Sequence, residues 1–149
     1  MTMKNLLTAV LTAVFLLPVA VPAQADDDLH KVVLHIDEDD PKRMHMVLNN
    51  AANITRYYQN QGEQSRIEIV AYGPGLMMMH GEKSPVARRM AGFGDNFDNV
   101  SFKVCGNTHR AMSRRAGAEM PLIEGVEIVP SGAVHLIQRQ EEGWAYLRP

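Results

Sequence analysis

Short β-branched runs alternate with stretches of helical periodicity along this chain, and the alternation leaves few architectures open. Lys31-Val32-Val33-Leu34-His35-Ile36 reads as a first strand. Pro41 follows the acidic patch Asp37 to Asp40 and suits the first turn of a helix. Met44, Val47, Leu48, Ala51, Ile54, Thr55 and Tyr58 then recur at helical spacing until Gly62. Ile67 to Tyr72 is the second strand, and Gly73-Pro74-Gly75 is a turn. Ser84-Pro85 starts a second helix through Val86, Met90, Phe93 and Phe97, loosened by Gly92 and Gly94. Val100 to Val104 is the third strand, and Asn107 or Thr108 caps a third helix that runs to about Ala116. Val126 to Val129 is the fourth strand. Pro130-Ser131-Gly132 opens a fourth helix that Gly143 stops, and Trp144 to Leu147 is the last strand. Leu76 to Lys83 and Gly117 to Gly125 read as surface loops. This order predicts a three-layer, flavodoxin-like α/β domain: a mostly parallel, five-stranded sheet with helices on both faces and right-handed crossovers.

The amino terminus stands outside that pattern. Lys4 precedes an apolar run from Leu6 to Leu17, and Ala23-Gln24-Ala25 stands before Asp26-Asp27-Asp28, which is the order of a cleavable secretory signal. The run is too short to cross a bilayer, and Pro18 and Pro22 obstruct its extension as a helix. Residues 1–25 are therefore expected to be a signal peptide. Residues 26–149 are expected to form one exported, periplasmic domain with no membrane attachment after cleavage. With 15 basic against 17 acidic side chains, the chain lacks the cationic excess that nucleic-acid binding needs. A lone cysteine excludes an internal disulfide framework, and a domain of this size folds without a disulfide or a metal.

Ligands of an open parallel sheet bind beyond the carboxyl ends of the strands. That rule gathers Asp37-Glu38, Tyr72-Gly73-Pro74-Gly75, Cys105-Gly106-Asn107-Thr108 and Pro130-Ser131-Gly132 on one edge. Cys105 precedes a helix amino terminus, whose unpaired N–H groups favour a thiolate. His109, Arg110, Arg114 and Arg115 are expected to add a positive field that lowers the thiol pKa further. The alternative is that Cys105 is a small buried hydrophobe at a strand end. Ser131 reads as a helix cap, with no His and Asp arrangement that would make it a nucleophile. Acidic residues stand where a phosphate-binding glycine loop would follow the first strand, so no nucleotide cofactor is expected. His35 reads as a satisfied core histidine, and His135 as a surface or half-buried one.

Four segments on that framework carry a family resemblance: Val32-Val33-Leu34-His35-Ile36-Asp37, Val70-Ala71-Tyr72-Gly73-Pro74-Gly75, Val104-Cys105-Gly106-Asn107-Thr108 and Val129-Pro130-Ser131-Gly132. In their order and spacing they resemble the DsrE/DsrF-like sulfur-relay family over essentially all of residues 26–149. The resemblance implies a flavodoxin-like fold, homo- or hetero-oligomers, and a cysteine that carries sulfane sulfur as a persulfide. Cys105 is the residue that can take this role, with Gly106, Asn107, Thr108, His109, Tyr72, Gly73 and Ser131 lining its site. The expected partners are a sulfur donor or acceptor protein or a small thiol, and further copies of the chain, with no cofactor.

Two readings of other classes remain open. One is a non-catalytic oligomeric binding module that uses the same strand-end pocket. The other is a copper-binding protein built on Met77-Met78-Met79-His80, since thioethers and imidazole suit cuprous ion. Met77, Met79 and His80 would be the ligands, although consecutive residues cannot all face one way. The acidic run Asp37 to Asp40 reads as a charge complement to the helix that follows it rather than a cation site.

Overall fold

A computed structural model describes residues 29–149; the expected signal peptide lies outside the described residues. Strands β1 (Leu29–Ile36), β2 (Gln64–Ala71), β3 (Val100–Cys105), β4 (Val126–Val129) and β5 (Ala145–Leu147) form one sheet in the order β4-β3-β2-β1-β5. Every pairing is parallel. Helices α1 (Pro41–Gln61), α2 (Ala87–Asn96), α3 (Gly106–Ala116) and α4 (Gly132–Glu141) connect the strands, together with a 3-10 helix, Gly73–Met79. No described helix is long and apolar enough to cross a membrane.

The two faces of the sheet follow from strand alternation. Val32, Leu34 and Ile36 of β1, Ile67, Ile69 and Ala71 of β2, and Val104 of β3 point to one face. There α1 covers them with Met44, Val47, Leu48 and Ala51, and α2 adds Met90 and Phe93. On the other face Val33 and Val70 meet Leu136 of α4 and Trp144. The expected three layers are present, but the second outer layer is α4 alone.

Chain direction explains the division. From β1 to β4 each strand lies beside its predecessor, so α1, α2 and α3 share a face. The step from β4 to β5 returns across the sheet to the far side of β1, and a right-handed crossover then places α4 on the opposite face. The carboxyl ends of neighbouring strands β3 and β4 therefore lead to helices on opposite faces. Such a divergence is where open α/β sheets form their ligand crevice.

Local chemistry sets the boundaries. Asp40 is the N-cap of α1, where its carboxylate accepts the Lys42 N–H at 2.8 Å, and Gly62 closes the helix in the left-handed region at φ 77°. The acidic run thus serves α1 as expected, while Asp37 and Glu38 pair with Arg148 at 2.9 and 3.1 Å.

Three boundary expectations are corrected. Leu76 to Lys83 is not a surface loop: the 3-10 helix buries Leu76, Met78 and Met79 completely in the main core. Its three-residue period places Leu76 and Met79 on one side. Gly75 allows that helix to press on the end of β1, since a Cβ there would stand 2.5 Å from the Ile36 carbonyl oxygen. Second, α3 is capped by Cys105 itself, not by Asn107 or Thr108. Third, α2 begins at Ala87, with Ser84 upstream accepting the Val86 N–H at 3.3 Å.

Candidate functional site

Cys105 ends β3 and is the N-cap of α3, with an extended backbone of φ −68° and ψ 116°. Its side chain therefore follows the pleat of the sheet rather than a helix face. It shares a face with Val129, its partner on β4. This is the α4 side of the sheet, at the divergence of β3 and β4.

Cys105 is 5% exposed, yet polar groups surround its thiol. Burial pushes its pKa up. Against this act the backbone N–H of Gly132 from the start of α4, the backbone N–H and hydroxyl of Thr108, and the backbone N–H of Asn107. The hydrogen bonds win, and the thiol lies below its ordinary value. Two helix amino termini, one from each face, thus converge on one sulfur atom. Thr108 is itself oriented, because its oxygen accepts the Gly73 N–H at 3.1 Å and its hydroxyl proton remains for the sulfur. Gly73 holds this approach in the left-handed region at φ 52°.

Gly132, which the sequence places on the strand-end edge but not among the residues expected to line the site, lies against Cys105. A Cβ there would stand 3.0 Å from the Cys105 Cβ and 3.2 Å from Tyr72. Only a bare Cα allows α4 to bring its first N–H so close. A glycine at the first turn of a helix on this edge was the available signal. Ser131, beside it, holds the N-cap position but makes no side-chain capping bond.

The remaining expected site residues separate into two groups. Gly106, Asn107, Thr108, Tyr72 and Gly73 gather around Cys105, and Gly106 sits against the Val129 carbonyl. His109 does not join them: its ring bonds the Met120 carbonyl through Nε2 at 2.8 Å, buried on the other side of α3. Arg110 bonds Asn107 at 2.6 Å. The thiol is thus favoured as an anion by oriented N–H and O–H groups, not by the expected field of His109 and the arginines.

Beside Tyr72 lies a second buried group. His35 stacks on the Tyr72 ring at 4.5 Å and bonds the Tyr146 hydroxyl through Nδ1 at 2.8 Å. It is 4% exposed, its Nε2 has no partner, and burial holds its pKa below the usual imidazole range. The core histidine is therefore only half satisfied.

The anchor of α4 was not legible in the sequence. Glu68 of β2, 5% exposed, accepts from Arg139 at 2.9 and 3.1 Å and pairs with His135 at 2.6 Å. Arg139 also lies over the Trp144 ring at 5.0 Å. The helix that carries Gly132 to the thiol is thus held down by one buried carboxylate and two cationic or hydrogen-bonding partners.

The Met/His copper reading loses two of its three ligands, Met79 and His80. Met79 is wholly buried in the main core, and the His80 Nδ1 accepts the backbone N–H groups of Glu82 and Lys83 at 3.2 and 3.3 Å. Those donors fix the proton on Nε2, so neither ring nitrogen offers a free lone pair. Among the described residues no group of His, Cys, Asp and Glu side chains could hold a metal ion.

Fold and site together define an all-parallel, three-layer α/β domain with a hydrogen-bonded thiol where its sheet topology diverges. The chain is similar to MTH1491 from Methanobacterium thermoautotrophicum, whose structure is described as that of a protein of unknown function. The two share 39% identity with a TM-score of 0.64 over 80% of this chain and 99% of that one. The chain belongs to the family of that protein. No protein-family model matches it, and neither does any curated protein.

Proposed function

We propose that this protein is a thiol-based sulfur carrier that holds sulfane sulfur on Cys105 as a persulfide. The observation that carries the reading is the convergence of the Gly132, Thr108 and Asn107 N–H groups and the Thr108 hydroxyl on the sulfur. Burial disfavours a thiolate, and a purely structural cysteine has no use for donors that favour one. The resemblance to the DsrE/DsrF-like family points the same way.

The chemistry is a balanced exchange. The Cys105 thiolate attacks the outer sulfur of a donor persulfide, R–S–SH. A new S–S bond forms, the donor's S–S bond breaks, and R–S⁻ leaves. The proton stays on the transferred sulfur, giving Cys105–S–SH. An acceptor thiolate then attacks that outer sulfur and restores the Cys105 thiolate, so no oxidant is consumed. The donor and acceptor are proteins or small thiols. The setting is an exported, periplasmic domain, and further copies of the chain are its expected oligomeric partners.

The test is intact mass spectrometry after incubation with glutathione persulfide. Wild type gains the mass of one sulfur atom and Cys105→Ser does not. An equal gain in both, or none in either, overturns the proposal.

One observation favours the non-catalytic binding module instead, namely that Cys105 is only 5% exposed. Native thiol titration separates the two. A carrier reacts while folded, with an apparent pKa below the roughly 8.5 of free cysteine, whereas a structural thiol reacts only after denaturation.

A further inference from the structure

A cavity of about 300 Å³ opens away from the thiol, between the end of the 3-10 helix with the residues that follow it and the carboxyl half of α3. Its walls carry the thioethers of Met77, Met112 and Met120, and His80, Lys83 and Arg115 complete it. The methionines pack against the main core, so the floor is apolar and polarizable. The polar groups are all donors. His80 is buried and has its Nδ1 occupied by two backbone N–H groups, which leaves Nε2–H as the edge available to the cavity. Lys83 and Arg115 are exposed, and neither is in an ion pair among the described residues.

We propose that this cavity binds a small organic anion with an apolar body, its carboxylate or sulfonate taken by Arg115, Lys83 and the His80 Nε2–H and its tail laid on the three thioethers. Size and chemistry agree. The volume stands at the lower end of small-molecule sites, and such sites combine an apolar lining with a few convergent polar groups. An apolar floor alone would accept a neutral or cationic ligand. Two unpaired cations and an N–H donor without an acidic partner select against a cation, cuprous ion included. Nothing in the site involves Cys105, so it stands or falls independently of sulfur transfer.

The experiment uses the full chain with methyl-labelled methionine, followed by NMR during titration with octanoate, 1-octanol and octylamine, and separately with cuprous ion under reducing conditions. Octanoate shifts the Met77, Met112 and Met120 methyl signals saturably and leaves those of Met44, Met78, Met79 and Met90 in place. Octanol binds about fivefold more weakly, and Arg115→Gln reduces octanoate to the octanol level. Arg115 is exposed at the end of α3, so its replacement leaves the fold intact. Absence of a saturable shift, equal responses to octanoate and octylamine, or uniform movement of all methionine methyls overturns the proposal. So does stoichiometric capture of cuprous ion on the same three methyls.

Discussion

The two faces of the sheet are built on opposite principles. On the face shared by α1, α2, α3 and the 3-10 helix, a continuous apolar core runs from Val32 to Met120. On the other, one ten-residue helix covers Val33 and Val70, and the strands beneath it also present Glu68, Lys103, His35 and Cys105. There Lys103 pairs with Glu127 at 2.6 Å, and Glu68 is met by His135 and Arg139. The contrast teaches where a small domain can place chemistry. One face supplies the burial that stabilises the fold, and the thinner face holds the buried polar groups.

Neighbouring residues on β1 test the contrast directly. Leu34 and Val33 are both fully buried but point to opposite faces. Leu34→Ala is expected to cost about 3–4 kcal/mol, because the dense core around it cannot collapse into the vacated volume. Val33→Ala is expected to cost about 1.5 kcal/mol, less for each carbon removed, since α4 alone must settle to fill the gap. Denaturant unfolding of both variants measures this, and equal loss per carbon would erase the distinction between the faces.

Glu68 is the next largest effect. Burial pushes its carboxyl up, but the bonds from Arg139 and His135 outweigh burial and hold it below the ordinary range. The unfolded chain therefore takes up the proton first as pH falls. The stability this group contributes is complete above the unfolded value of about 4.3 and is lost as pH falls through the lower folded value. Glu68→Gln should cost about 2 kcal/mol at neutral pH, by removing the buried partner of Arg139 and leaving it with the exposed Glu142 alone. It should also flatten the acid limb of the stability profile. Amide exchange in α4 should accelerate more than in α1; a uniform acceleration would mean that α4 is not a separately anchored layer.

How much of this was legible depended on whether local or distant contacts decided the outcome. The strands and α1 were readable because Val32 to Ile36 and Met44 to Tyr58 carry their periods locally. The 3-10 helix was not, since Gly73, Pro74 and Gly75 signal a turn and burial of Met78 and Met79 comes from tertiary packing. His109 was misplaced for a geometric reason. One helical turn separates it from Cys105, which suggests a shared face. Cys105 has an extended backbone, however, and points with the sheet. Glu68 lay in an apolar run with nothing local to mark its partners, which are 67 and 71 residues away.

Gly132→Ala tests the thin face at its most crowded point. The added methyl meets Cys105 and Tyr72 at 3.0 and 3.2 Å, so the start of α4 or its neighbours must give by a few tenths of an ångström, which lengthens the approach of the Gly132 N–H to the sulfur. The expected result is a rise of about one to two units in the thiol pKa, since a hydrogen bond to a charged group contributes about 1.5–3 kcal/mol. Iodoacetamide labelling across pH reads the shift. An unchanged profile would remove α4 from the set of groups that favour the thiolate.

The smallest effect separates the two helix termini that meet at the sulfur. Thr108→Val keeps the side-chain shape and both backbone donors of α3 but removes the hydroxyl that links Gly73 to Cys105. The thiol pKa should rise by about one unit, less than for Gly132→Ala, and Thr108→Ser should restore it. The comparison matters because Thr108 and Gly132 reach the same atom from opposite faces. If Thr108→Val produces the larger rise, the main-core side through α3 dominates the thiolate, and α4 serves chiefly as a cover. If Gly132→Ala does, the thin face sets the reactivity, and any event that lifts α4 exposes the sulfur and weakens its ionisation together.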